Sequence, residues 1–203
     1  MLDENCVDQL RSLRIDALTA KHLHHGRLSR KRKASLVVDF LAIGVPVLYF
    51  ALRFTAKGTQ HQEVAEIAWE FLAAILLALA IIKMSFRWED YIGKHSELMA
   101  ENNWFASKAN KMADAAPSTP RKEFDQLREQ AVELEDKDLR SLGTVPDQEK
   151  RRAYREALKE SSPNGVCPIC QSSAYSYTPG SCQVCGNTPS SGEKHAKGGL
   201  PNE

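Results

Sequence analysis

The apolar positions of the chain change spacing twice. Over 36–84 they run together in two blocks, LVVDFLAIGVPVLYFAL at 36–52 and VAEIAWEFLAAILLALAIIKM at 64–84; outside that region they recur at helical steps of three and four. At 1.5 Å per residue the first block reaches about 25 Å as a helix, a little short of a hydrocarbon core of about 30 Å. The second is long enough but is interrupted by Glu66 and Glu70. Two transmembrane helices are one reading, and two buried helices of a soluble bundle are the other. Gly44 and Pro46 weaken or kink the first block, since proline removes the hydrogen bond to Ala42. Ala74 and Ala78 give the second a small-xxx-small pair suited to helix contact.

The flanks favour the membrane. RLSRKRK, with Arg27, Arg30, Lys31, Arg32 and Lys33, stands just before the first block, while the connection between the blocks carries Arg53 and Lys57. A basic end stays in the cytoplasm, which predicts a hairpin with both termini inside and an outer turn over 55–62, broken by Gly58. RLSRKRK also fits a nuclear signal or nucleic-acid arm, but its place beside an apolar block explains it more simply. Residues at equal depth in an antiparallel hairpin have numbers of nearly constant sum. That rule sets Asp39 against Lys83, Arg53 against Glu70 and Lys57 against Glu66. Opposite charges at one depth ease the insertion of marginal spans, and snorkelling towards the interface is the alternative account.

Before the hairpin, Cys6, Leu10, Leu13, Ala17 and Ala20 form an amphipathic helix with Cys6 as a buried, inert thiol. His22, His24 and His25 then read as a solvated linker rather than a metal or pH-sensing site, since two carboxylate or thiol partners are not in evidence nearby. After the hairpin, Trp88, Tyr91 or Ile92, His95, Leu98 or Met99, Asn102, Phe105, Ala109 and Met112 predict one amphipathic rod that continues the second apolar helix. His95 and Asn102 in that seam are read as hydrogen-bonded or register-setting core groups. Pro117 and Pro120 end the rod. A helix over 121–142 follows, with Phe124, Leu127, Ala131, Leu134 and Asp138 on its stripe and Gly143 at its end. Asp147 is expected to cap a further helix, DQEKRRAYREALKE, whose Arg152, Arg155 and Lys159 share a face that is either solvated or laid on anionic lipid or an acidic partner.

Composition narrows the field. In 203 residues there is room for one ordinary core, and 27 basic against 26 acidic side chains leave a net charge of +1, which excludes a general electrostatic nucleic-acid binder. The opening MLDENC lacks a signal-peptide h-region, so reduced thiols are expected for the five cysteines. Four of them, Cys167, Cys170, Cys182 and Cys185, form C-x2-C-x11-C-x2-C. Two such knuckles supply the thiolates of a closed, structural tetrahedral Zn2+ site, with disulfides as the alternative. Since 161–192 contains no Asp, Glu, Lys or Arg, this ribbon suits protein or small-ligand recognition, or serves only as a staple, rather than nucleic-acid binding. The residues after it, 191–203, read as a disordered tail.

The expected fold is mainly α: a transmembrane hairpin with long cytoplasmic helices and a small C-terminal zinc ribbon. Its expected divisions are an N-terminal helix and basic segment at 1–34, the hairpin at 35–85, cytoplasmic helices at 86–160, the ribbon at 161–190 and the tail. Taken together, the apolar hairpin, the WEDYIGKHSELMAENNWF and DQEKRRAYREALK helices and the CxxCx(11)CxxC ending resemble the bacterial two-transmembrane SLATT effectors, specifically the mobile-element-associated branch named for that cysteine signature. The resemblance implies an inner-membrane effector of antiphage defence that permeabilises the bilayer as a homo-oligomer, beside a separate sensor or signalling protein. No nucleophile-base, P-loop, dinucleotide or HExxH pattern is present, so an enzyme is not expected. A membrane-anchored zinc-ribbon adaptor that recruits a protein partner without conducting is the competing function.

Overall fold

The computed structural model describes residues 2–56, 62–85, 87–162 and 164–190. The helical spacings of the sequence become five helices: α1 (Glu4–Ala56), α2 (Gln62–Ser85), α3 (Trp88–Asp114), α4 (Arg121–Leu142) and α5 (Asp147–Ser161). Among the described residues there is no strand, only the isolated bridges Val166 to Ser173 and Pro179 to Asn187 in the cysteine-bearing segment. The fold is mainly helical, as the periodicity predicts.

The helix ends follow local chemistry. Asp3 Oδ1 accepts the N–H of Cys6 at 2.9 Å, satisfying a donor in the first turn of α1. Gly143, at φ 58°, ends α4 and donates its N–H to the Leu139 carbonyl. Pro146, rather than Asp147, stands before α5, and Asp147 is the first helical residue, where its charge still favours the positive end of the helix.

The chain forms two units, one made of Met1–Gly26 with His95–Glu203 and the other of Arg27–Lys94. They are called the bundle unit and the hairpin unit below. This division departs from the boundaries expected at 34, 85 and 160: α1 runs unbroken through the first, and the N-terminal stripe shares one core with α3, α4 and α5. Cys6, Leu10, Ala17, Phe105, Ala109, Phe124, Leu127, Leu134 and Ala157 are buried together. Burying such side chains is worth about 1.5–3 kcal/mol each for the larger ones, enough to hold the discontinuous segments together.

In the hairpin unit, α1 and α2 pack antiparallel. Tyr49 stacks on Trp69 with centroids 4.1 Å apart, and Lys31 lies 4.9 Å from the centre of the Trp88 ring. Two stretches, one within Glu4–Ala51 and one in Glu66–Ser85, are long and apolar enough to cross a membrane. The expectation of a single rod continuing the second apolar helix is corrected. Arg87 has φ 46°, a left-handed conformation that no α-helix contains, so α2 stops at Ser85 and α3 starts afresh at Trp88. The expected outer turn over 55–62 falls largely outside the described residues, as does the tail after 190.

Candidate functional site

The cysteine segment is built from two matching turns. In CPICQ the Gln171 N–H returns to the Cys167 carbonyl at 2.9 Å, and in CQVCG the Gly186 N–H returns to the Cys182 carbonyl at 2.9 Å. Gln171 and Gly186, the residue after each pair, both have positive φ, 57° and 76°. The repeated geometry turns both thiols of each pair towards one point. All four cysteines are unpaired in disulfides and buried, with their sulfurs within 4.8 Å of one another and Cys170 and Cys185 at 3.4 Å. A tetrahedral thiolate shell with bonds of about 2.3 Å separates its sulfurs by about 3.8 Å, inside that range. The donor set therefore fits a closed, four-thiolate metal site with no position left for substrate.

The surroundings of the thiols differ. Burial pushes Cys167 and Cys185 up; Cys182 comes down to about 7, because the N–H groups of Cys185 and Val184 and the neighbouring thiols outweigh its burial. Loading a metal must displace the protons these thiols still hold, which is why affinity for such sites rises with pH.

Polar side chains lock the segment's fold. Asn187, 1% exposed, accepts the Thr178 N–H at 3.1 Å and donates to the Ser173 carbonyl at 3.0 Å, joining the two halves of the loop. A Cβ at Gly180 would lie 2.3 Å from Thr188 backbone atoms, so only glycine fits that crossing. The segment also docks on α5. Arg155 donates to the Cys185 carbonyl and lies 3.8 Å from the centre of the Tyr177 ring; Arg151 donates to the Gln183 carbonyl and side chain at 3.2 and 3.0 Å. Cys167, Cys170, Cys182, Cys185 and Leu158 form one apolar cluster, with Ile15 and Tyr154 packed against it. Of the expected basic face, Arg155 is thus taken by the cysteine segment and Lys159 by Glu156 at 2.9 Å, while Arg152 is exposed.

A second polar cluster lies inside the bundle unit. His24 Nδ1 and His95 Nδ1 are 2.6 Å apart, a hydrogen-bonding distance in which one ring donates and the other accepts. His24 Nε2 lies 2.8 Å from Asp138 Oδ1, and Asn102 Nδ2 donates to both oxygens of Asp138 at 3.1 and 3.0 Å. His24 is 0% exposed, His95 and Asn102 are 1% exposed. The network ties α1, α3 and α4 together through groups that are costly to leave unpaired. The expectation of a solvated linker at His22, His24 and His25 is corrected, since all three lie inside α1, and His24 continues the buried stripe seven residues beyond Ala17. His22 meets Glu160 at 3.0 Å, and His25 is exposed. The partners His24 needed were on α3 and α4, beyond the reach of local sequence. Asp138 is on the predicted α4 stripe, so a carboxylate at a core position was the available signal.

The remaining predicted residues are also placed. In the seam, His95, Asn102 and Phe105 are buried, while Trp88 and Ile92 are half-buried. In the hairpin, Lys83 Nζ is 2.7 Å from Asp39 Oδ1 and 3.2 Å from Glu89 Oε1. Ser35 adds a hydroxyl 3.3 Å from Asp39. Glu89 did not figure in the equal-depth pairing, because it follows the apolar block. The predicted pairs Arg53 with Glu70 and Lys57 with Glu66 turn on the Arg53 side chain and Lys57, which lie outside the described residues.

A family model described as Mobilome CxxCx(11)CxxC protein matches residues 8–188, and the chain belongs to that family. The match takes in the hairpin, the bundle helices and the cysteine segment alike. No curated protein and no solved structure matches the chain.

Proposed function

We propose that the protein is a non-catalytic membrane effector of bacterial antiphage defence: its hairpin sits in the inner membrane with both termini in the cytoplasm, and a cytoplasmic cue makes assembled copies permeabilise the bilayer. The observation that carries this reading is the exposure of the hairpin unit. Its apolar windows are 6% and 0% buried, although they have the hydropathy of a protein core. Side chains of this kind need either lipid or other copies of the chain around them. The basic cluster at 27–33 beside the first apolar stretch supports the cytoplasmic orientation. The role in defence, the separate sensor and the oligomer come from the resemblance to SLATT effectors. In this reading Cys167, Cys170, Cys182 and Cys185 hold a structural Zn2+, which fixes the segment against α5 and takes no part in chemistry.

A specific observation favours the adaptor as a second reading. The cysteine segment exposes Val166, Ile169, Tyr175 and Tyr177 at 42–60% on a surface without charged residues, a composition suited to protein contact. Dye release from liposomes containing the purified full chain separates the two. Release that rises steeply with protein density supports the effector; intact liposomes at every density, with a soluble partner captured through the cysteine segment, support the adaptor.

A further inference from the structure

A cavity of about 510 Å³ opens in the bundle unit between α1, α4 and α5, with Asn102 and Phe105 of α3 and Val184 of the cysteine segment completing its wall. This is the size of a small-molecule site. Leu23, Phe105, Leu134 and Leu142 give it hydrocarbon walls. Its most buried polar lining is Asp138, 7% exposed, and Asn102. Asp138 Oδ1 accepts from His24 and from the Asn102 amide, whereas Oδ2 accepts from that amide alone among the described residues. A carboxylate with acceptor capacity to spare thus lines an apolar space.

The charged residues lining the cavity are Asp16, Glu135, Asp138 and Asp147 against Lys150 and Arg151, and Arg151 gives its donors to Gln183. Neither Asp16 nor Glu135 pairs with a lysine or arginine among the described residues. Burial raises Asp16, and the nearby Glu135 adds to the rise, as expected where negative charge is left uncompensated. An anionic ligand would meet this field unfavourably.

We propose that the cavity binds a small organic amine, a protonated amino group carried on an aromatic or branched hydrocarbon body. The ammonium donates to Asp138 Oδ2, the body packs on Phe105, Leu134 and Leu142, and Asp16 and Glu135 draw the charge inwards. The ligand therefore engages the carboxylate that holds His24 of α1. The cavity belongs wholly to the bundle unit, so binding stands whether or not the hairpin permeabilises membranes.

The test uses the full chain in lipid nanodiscs and equilibrium dialysis against empty nanodiscs, with 4-phenylbutylamine, 4-phenylbutanol and 4-phenylbutyrate as probes on one skeleton. The amine is expected to bind at least tenfold more tightly than the alcohol and the carboxylate. Asp138→Asn should reduce the amine to the level of the alcohol. Asp16→Asn with Glu135→Gln, isosteric changes at residues that keep part of their surface in solvent while lining the cavity, should lower the amine preference about threefold and serves where Asp138→Asn does not fold. Equal binding of the three probes, a preference for the carboxylate, no retention of any probe, or an amine preference unchanged in the Asp16→Asn, Glu135→Gln variant would each overturn the proposal.

Discussion

The two units treat the same kinds of side chain in opposite ways. In the bundle unit Leu10, Phe124 and Leu127 are 0% exposed, while in the hairpin unit Phe40, Ile43 and Phe71 are 76%, 71% and 71% exposed. Hydropathy alone does not separate these cases, because a soluble core helix and a membrane helix have similar composition. Burial does separate them. The bundle unit satisfies its apolar stripes from within the chain, pairing Cys6 to Ala17 with residues a hundred positions later. Among the described residues the hairpin unit leaves most of its apolar side chains exposed, and the proposed function has lipid or other copies cover them.

The largest effect that sharpens this contrast is removal of the metal site. Cys167→Ser with Cys170→Ser should abolish a stoichiometry of one metal ion per chain, measured by elemental analysis. The cysteine segment and its hold on α5 should become protease-sensitive, since binding energies for such sites are about 10–16 kcal/mol. Membrane sedimentation should persist, because no ligand lies in the hairpin unit. Loss of sedimentation would mean that the units are not separable in this way.

Next comes the buried network. His24→Leu strips Asp138 and His95 of a partner inside the bundle unit and should cost it about 3–5 kcal/mol, read as a lower denaturation midpoint of the bundle signal. His25→Leu, on an exposed neighbour, should change that midpoint by no more than about 0.5 kcal/mol. Equal effects would place both rings in the same environment and break the contrast within α1.

A substitution at an exposed residue tests the hairpin directly. Ile43→Asp would be close to neutral on a water-facing surface, but in lipid a carboxylate near the middle of a span costs about 2.5–3.5 kcal/mol on insertion scales. Recovery of membrane-bound protein should fall several-fold, and unchanged recovery would return the hairpin to the soluble-bundle reading. The smallest effect concerns Asp39 and Lys83. Asp39→Lys should reduce membrane-bound yield, and adding Lys83→Asp should restore much of it, as expected for residues in contact. If Asp39→Lys is silent, the ion pair contributes nothing to insertion or assembly.

Much of this architecture is legible in the sequence, for reasons that differ along the chain. The bounds of α4 follow from Pro120 and Gly143, which act locally. The cysteine cluster follows from spacing, because a two-residue gap forces both thiols of a turn to one side. The Asp39 and Lys83 contact follows from the geometry of any antiparallel hairpin. What local pattern does not reach is the role of His24, whose partners His95 and Asp138 are on other helices, and the break at Arg87, where a non-glycine residue adopts a left-handed conformation that its neighbours do not signal. The grouping of residues 1–26 with the C-terminal half is likewise a long-range fact, decided by which stripe finds which.

That grouping sets an order of events during synthesis. Asp138 follows His24 by 114 positions, an interval that includes the whole hairpin. At about 5–20 residues per second, ribosomes need roughly 6–23 s to cover that distance. Both apolar blocks are made within this interval, before α4, α5 or any knuckle cysteine. The amino-terminal half of α1 waits with its stripe of Leu10, Ala17 and Leu18 uncovered, open to chaperones or to other nascent chains on the same message. Under the proposed membrane reading, insertion precedes completion of the bundle unit and any metal is loaded last, so that a chain already held at the bilayer is the one that finishes folding.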